Sequence, residues 1–154
     1  MSSAVRGITA GLNYGQRLAV TLQYNVNVAF DAANNRIRIH EDRNDDGVLD
    51  AGERVRYIPL EDGVFFDKGT GGALTYTTGA AGSQIFNFTL TQGGLPVITF
   101  RRDGSASENG GFYINTRKGA ALGNNSWVRA AEVVRSTGRV IWYSYATGTW
   151  QQGN

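Results

Sequence analysis

Between Leu22 and Asn25 the spacing of apolar residues changes period, and that change sets what the chain can become. Upstream, in AVRGITAGLNYGQRLAVTL (residues 4–22), Val5, Ile8, Leu12, Ala19 and Leu22 follow one another at three, four, seven and three positions. Such a stripe falls on one side of a helix and predicts an amphipathic helix over residues 1–23. Downstream, NVNVAF places Val26, Val28 and Phe30 on alternate positions, and NRIRIHED sets Ile37 and Ile39 against Arg36, Arg38 and His40. Alternate side chains point to opposite faces of a sheet, so both segments read as half-buried strands, with DAANN as the turn between them. RVRYIPL, QIFNFTL, PVITFRR, GFYIN, WVRAAEVV and RVIWYSY continue the strand pattern, punctuated by TQGG, RRDGSASENGG and STGR. Residues 67–83, DKGTGGALTYTTGAAGS, are small and Gly-rich and read as an irregular or mobile loop within the domain. The expected fold is α+β: one domain over residues 1–154, with an N-terminal helix packed on an antiparallel β-sheet part spanning residues 24–154.

Composition supports a folded domain and narrows its chemistry. A chain of 154 residues can bury roughly two-thirds of its unfolded surface, and 21 Gly against 2 Pro favour many tight turns. With no Cys there is neither a disulfide framework nor a thiolate metal site, and a single His excludes His-based zinc centres. That histidine, His40, stands on an alternating strand beside Glu41 with no G-x-S-x-G nucleophile motif in the chain, so it reads as an ordinary strand residue. GTGGAL lacks the spacing and the lysine of a phosphate cradle, and the pairs Asp45–Asp46 and Glu61–Asp62 lie at charged turns, with no sign of two carboxylates facing across a cleft. No catalysis is expected. No apolar run approaches the roughly 18 to 20 residues of a membrane span, and signal-peptide features are absent. The opening MSSAVRG reads as a trimmed start.

Charge is uneven along the chain. The net +2 divides into +3 over residues 1–40, −6 over 41–67, +1 over 68–100 and +4 over 101–154. Much of the acid lies in EDRNDDGVLDAGE, where Asp42, Asn44, Asp46, Gly47, Asp50 and Glu53 occupy positions one, three, five, six, nine and twelve of a calcium-loop pattern. Alternate residues of a tightly curled loop point inward at a hard cation, and the Gly permits the sharp turn. An EF-hand has helices on both sides, whereas RIRIH and ERVRYI are strands. The stretch is thus either a calcium loop on a hairpin, with Asp42, Asn44, Asp46, Asp50 and Glu53 as ligands, or a polar hairpin tip using Asp and Asn for turn chemistry. On the helix, Gly7, Gly11, Gly15 and Ala19 form a row of small residues that admits close approach either by a neighbouring helix or by the chain's own sheet. Towards the C-terminus Trp142, Tyr143, Tyr145 and Trp150 interleave with Arg135 and Arg139, as either a stacking platform for single-stranded nucleic acid or core-filling aromatics.

The order of these elements resembles the GspH/FimT family of type IV pilin-like proteins. The strongest matches are the D-x-N-x-D-G-x-x-D-x-G-E hairpin, the strand and turn ITFRRDGSAS, and the closing pair VVRSTGRVIWY. The resemblance implies the head domain of a minor pilin or type II secretion pseudopilin, a structural subunit that assembles with other pilins through its helix. It also implies a membrane anchor, supplied by an apolar N-terminal segment missing from this sequence, and a periplasmic or surface location. DNA-binding members use a basic G-R-x-R segment, of which Gly138-Arg139-Val140-Ile141 keeps only the first Arg. The alternative is therefore a surface module that captures DNA or another ligand through Arg101, Arg102, Arg135 and Arg139.

Overall fold

The computed structural model describes residues 1–153. A helix, α1 (Ser2–Leu22), buries Ala4, Val5, Ile8, Gly11, Leu12, Gly15 and Ala19 on one side and ends at Gln23, whose left-handed backbone (φ 61°) sends its N–H back to Ala19 O. Leu22, the last residue of the sequence stripe, lies in the last turn and is 38% exposed. The strands are β1 (Asn25–Asp31), β2 (Arg36–Asp42), β3 (Val55–Pro59), β4 (Val64–Phe66), β5 (Leu74–Thr75), β6 (Ala81–Gly82), β7 (Phe86–Asn87), β8 (Thr91–Gln92), β9 (Leu95–Phe100) and β10 (Gly110–Thr116). A short helix α2 (Arg117–Leu122) and a 3-10 turn (Asn125–Trp127) then lead to β11 (Arg129–Val133), β12 (Val140–Ala146) and β13 (Thr149–Gln152).

All strand pairing is antiparallel. One sheet has the order β3-β2-β1-β9-β8; the second runs β13-β12-β11-β10-β4 with β7 also paired to β10, and β5-β6 forms a separate ribbon. The expected α+β arrangement, a helix on antiparallel sheets, is the one observed. The main core lies where α1 meets both sheets. Leu12, Val28, Ile37, Ile39, Ile98 and Phe100 meet Phe112, Ile114, Val133 and Trp142 there. Phe30 stands among Phe66, Phe86, Phe88 and Phe112 with ring centroids 4.7 to 6.0 Å apart, distances at which aromatic pairs attract beyond their area burial. Trp142 donates its indole N–H to Thr9 Oγ1 on α1 at 2.8 Å, so the second sheet is tied to the helix by a directional bond as well as by packing.

Three features depart from the sequence reading. β1 and β2 are buried on both faces, because the acidic hairpin and Gln92 fold across the side turned away from α1. The Gly-rich segment 67–83 is fastened to the second sheet: Leu74 and Tyr76 pack with Tyr113, Val128, Ala130 and Tyr143 in a second core. α2, β4, β8 and β13 arise where no such element was expected. Thr116 caps α2 by accepting from Gly119 N–H, and Gly123 closes it at φ 65°. Thr147 and Gly148, both at positive φ, make the two-residue turn into β13. No described helix is long and apolar enough to cross a membrane.

Candidate functional site

The acidic hairpin is built from the turn outward. Asp42 is fully buried at the end of β2 and accepts from Asp46 N–H at 3.3 Å and Gly47 N–H at 2.8 Å, which curls the loop. Gly47 supplies the positive φ (74°) that this curl needs. Glu53 closes the far side, accepting from Arg43 N–H at 2.8 Å and Asp50 N–H at 2.9 Å. Between these two, the Asn44 amide donates to Asp46 and to Asp50, each at 3.1 Å. Of the five residues of the calcium pattern, then, Asn44, Asp46 and Asp50 converge at the open side, while Asp42 and Glu53 are turned into the loop's own backbone. Asp46 is held below the ordinary carboxylate value, first by Val48 N–H. At Asp50 the Asn44 amide pulls the same way, but the neighbouring Asp46, partial burial and the charge of Glu53 outweigh it and raise the carboxyl.

His40 anchors the whole hairpin, a role its place on an alternating strand does not reveal. It is fully buried. Nδ1 lies 3.2 Å from Asn27 Nδ2 and 3.0 Å from Gln92 Nε2, and Nε2 lies 2.8 Å from Glu53 Oε1. The direction of these bonds follows from their ends. Arg38 can only donate, so Gln92 turns its oxygen to Arg38 and its N–H₂ to His40 and Gly47 O. Asp42 can only accept, so Asn27 turns its N–H₂ to Asp42 and His40 and its oxygen to the Thr99 hydroxyl. Nδ1 is therefore an acceptor and Nε2–H the donor to Glu53, an assignment made from the network. His40, Asp42 and Glu53 offer ligand atoms within 4.8 Å of one another; both His40 nitrogens are already committed, and the group works as a structural clamp. Burial alone would raise Glu53, but bonds from Asp50 N–H, His40 and Arg43 N–H outweigh it and hold the carboxyl below its ordinary value.

The small-residue row on α1 is divided. Gly11, Gly15 and Ala19 are buried against the chain's own first sheet. A Cβ on Gly11 would stand 2.8 Å from Ile37 Cδ1, and one on Gly15 3.0 Å from Val28 Cγ2. Gly15 and Ala19 are closed to a neighbouring helix, whereas Gly11, though buried, also borders the groove beside Gly7. At Gly7 a Cβ would meet nothing within 4 Å; with Ala10, Gly11, Tyr14, Arg56 and Ile58, Gly7 lines a groove of about 360 Å³ between α1 and the edge strand β3.

The four arginines gather at the end of the molecule where α1 stops. Arg102 pairs with Asp45 at 2.7 Å, joining this region to the acidic hairpin. Gln16 donates to Gly104 O at 2.9 Å and Thr137 O at 2.8 Å, drawing the turns that carry Arg101, Arg135 and Arg139 against α1. Among the described residues Arg101, Arg135 and Arg139 have no carboxylate within 4.0 Å. Gly138 sits there for packing and backbone reasons: its φ is 67°, and a Cβ would run into the Gly104 carbonyl oxygen. Trp142 and Tyr143 are buried at 9% exposure each, and Trp150 packs tilted against Tyr113 and edge-on against Tyr145 while donating to Gly72 O at 2.9 Å. Trp142 and Tyr143 thus fill the two cores, while Tyr145 and Trp150 are half-buried and packed on one another.

A buried carboxylate, Glu132, fastens the Gly-rich segment. It accepts from Thr77 N–H at 3.0 Å, Thr77 Oγ1 at 2.6 Å and Tyr143 O–H at 2.9 Å, with no ion-pair partner among the described residues. Burial, then the bond to Glu132, push the Tyr143 phenol up to about 12.

No protein-family model and no curated protein matches the chain. Among solved structures, the chain is similar to one described as the minor pseudopilin EpsH from the type 2 secretion system of Vibrio cholerae, with 11% sequence identity and a TM-score of 0.50. The likeness covers 97% of this chain and 92% of that one. The chain therefore has a pilin-like fold.

Proposed function

We propose that this chain is a non-catalytic structural subunit, the head domain of a minor pilin or type II secretion pseudopilin of the GspH/FimT kind. The carrying observation is the fold, an amphipathic helix on antiparallel sheets that is similar over 97% of the chain to a minor pseudopilin. In this reading α1 continues upstream into an apolar anchor held in the inner membrane before assembly, and the head lies in the periplasm or at the cell surface. Partners are other pilins or pseudopilins, met through the side of α1 that the sheet leaves exposed. Arg6, Gly7, Asn13 and Arg17 lie on that side. The test is fractionation of the full-length protein from its host: it is expected in the membrane and in sheared fibre fractions, and recovery only as a free periplasmic protein would end the reading.

We also propose that the open side of the hairpin accepts one calcium ion. Rotation of the Asn44 amide would present its oxygen beside Asp46 and Asp50, and Asp42 and Glu53 keep lone pairs beyond their backbone bonds. A bound ion would stiffen the head. Millimolar calcium should raise the melting temperature, and the Asp50→Asn variant should lose that response; a melting temperature indifferent to calcium removes the cation.

The second reading, capture of DNA or another anionic ligand, draws on Arg101, Arg135 and Arg139, which have no ion-pair partner among the described residues. A gel shift at low salt that weakens steeply as salt rises would support it, and absence of binding at low salt would end it.

A further inference from the structure

We propose that the hollow on the face of the first sheet turned away from α1 is a binding site for a single carboxylate carried on a short aliphatic body, seated on Arg38. The site is separate from Arg101, Arg102, Arg135 and Arg139 and does not depend on the assembly or calcium readings above. The hollow has a volume of about 400 Å³ and lies between the tip of the acidic hairpin and the ribbon formed by β8 and β9. Arg38 stands in the middle of β2, opposite Ala29 on β1 and Tyr57 on β3. Residues directly opposite one another share a face of the sheet. Ala29 and, next along the row, Val97 are buried there, which gives the arginine stem an apolar backing. The one side-chain bond that Arg38 makes among the described residues runs from Nη2 to Gln92 Oε1 at 2.9 Å. Nε is enclosed with no acceptor, and no carboxylate lies within 4.0 Å of the guanidinium among the described residues. An arginine stays charged and carries five N–H donors. Most of them thus stand without an acceptor on a half-buried side chain that opens to the hollow.

The walls select what the arginine can take. Val48 and Leu49 on the hairpin, exposed at 56% and 38%, line the hollow with apolar surface. Thr91 lines it from β8, and its hydroxyl, which makes no side-chain hydrogen bond among the described residues, is a further donor for the same anion. None of the lining residues is acidic. Asp46 and Asp50, on the hairpin beside Val48 and Leu49, oppose a doubly charged anion such as phosphate. A single carboxylate matches one guanidinium in charge and in its two-oxygen geometry. The walls are also held in place from within the chain. Gln92 Nε2 donates to Gly47 O at 3.1 Å, so the side chain that meets Arg38 also ties the ribbon to the hairpin. Asp42 fixes Gly47 from the other side by accepting its N–H at 2.8 Å. Gly93 and Gly94, at φ 59° and 81°, close the ribbon in a two-residue turn. A preformed seat loses less affinity to ordering when a ligand enters. The occupant that fits is a carboxylate with an aliphatic tail, supplied either as a free short-chain acid or as the C-terminus of a peptide ending in an aliphatic residue.

Amide NMR shifts of the protein in chelator test this, with hexanoate and the tripeptide Gly-Gly-Leu as probes and hexanol, the amide of the same tripeptide and inorganic phosphate as controls. The expected result is a saturable shift at the amides of residues 47–49 and 91–93 with at least one of the two acids, and none there with the controls. Dissociation constants should be millimolar, in keeping with so few ligand atoms. Hexanoate binding at least as tightly as the peptide would identify the occupant as a free acid, and tighter binding of the peptide would identify it as a chain end. Arg38→Gln should weaken binding at least about tenfold, the loss expected for hydrogen bonds to a charged group. Because Arg38 also holds Gln92, Thr91→Glu provides a second variant. It alters an exposed position, circular dichroism checks its fold, and its carboxylate, placed in the hollow with Arg38, should take the ligand's place and abolish the shifts. No saturable shift at these residues with either acid, equal binding of hexanol, the amide or phosphate, or an affinity unchanged in folded Arg38→Gln or Thr91→Glu would each overturn the proposal.

Discussion

Replacing the helix glycines one at a time with alanine separates packing from propensity. Each Gly in a helix interior costs about 1 kcal/mol relative to Ala, so by propensity alone every replacement should stabilise by that amount. At Gly7 nothing lies within 4 Å of the new methyl, and the gain of about 0.5–1 kcal/mol should appear in full. At Gly11 the methyl would lie 2.8 Å from Ile37 Cδ1 and 3.0 Å from Ile58 Cδ1. Ile37 is fully buried, so its tip has no solvent to swing into. Overpacking of this kind costs about 1–3 kcal/mol and outweighs the propensity gain, for a net loss of about 0–2 kcal/mol. Gly15→Ala meets Val28, a β-branched side chain with one stiff rotor, at 3.0 Å and should behave like Gly11→Ala. Urea unfolding reads these as shifts of the midpoint at constant m-value. The expected order is Gly7→Ala above wild type, with Gly11→Ala and Gly15→Ala at or below it. Equal stabilisation at all three positions would refute the close seat of α1 on the first sheet.

Other consequences can be measured with the same protein. Because the folded-state pKa of Glu53 is lowered, the stability it contributes is fully present above the unfolded-state value of about 4.3 and drains away as pH falls through the folded value. Glu53→Gln should therefore be less stable than wild type near neutrality and lose less on acidification, and an unchanged acid limb would exclude the clamp. Tyr143→Phe removes one of three donors to the buried Glu132 and should cost about 1–3 kcal/mol; amide exchange should quicken around residues 74–82 if the Gly-rich segment is fastened as described. Gly138→Ala, at φ 67° and against the Gly104 carbonyl, should cost more than about 1 kcal/mol in thermal unfolding, and neutrality there would mean that the two turns lie farther apart.

The helix and the long strands were legible because period is a local property: the 3.6-residue stripe and the alternation in NVNVAF and RIRIHED need no knowledge of what covers them. What covers them was not legible. Nothing near His40 in the sequence announces that Gln92, fifty-two residues away, will reach it, nor that the hairpin will fold over β1 and β2 and bury their polar face. The Gly-rich stretch looked loose by composition, yet its anchors, Glu132, Tyr113 and Tyr143, lie on strands far along the chain. α2 and β13 are short, and their only local marks, the Thr116 cap with Gly123 and the Thr147-Gly148 turn, are too brief to stand out. The spacing of the calcium pattern does not reveal that Asp42 and Glu53 would also bond the loop's backbone, nor that Glu53 would accept from His40. The row of small residues likewise fixed the positions without saying which neighbour needed them close.

In the proposed function the exposed side of α1 is where this chain meets other pilin-like subunits. Since the sequence contains no Cys, single cysteines can be placed at Asn13 and Arg17 on that side, and at Thr149 on the distant strand β13 as a control, in the full-length protein in its native host. Cross-linking in the fibre fraction, with adducts identified by mass spectrometry, is expected to join Asn13 and Arg17 to the helices of other pilin or pseudopilin subunits and to leave Thr149 free of such adducts. Adducts to pilin subunits from Thr149 alone, or none from α1 in intact fibres, would contradict the claim.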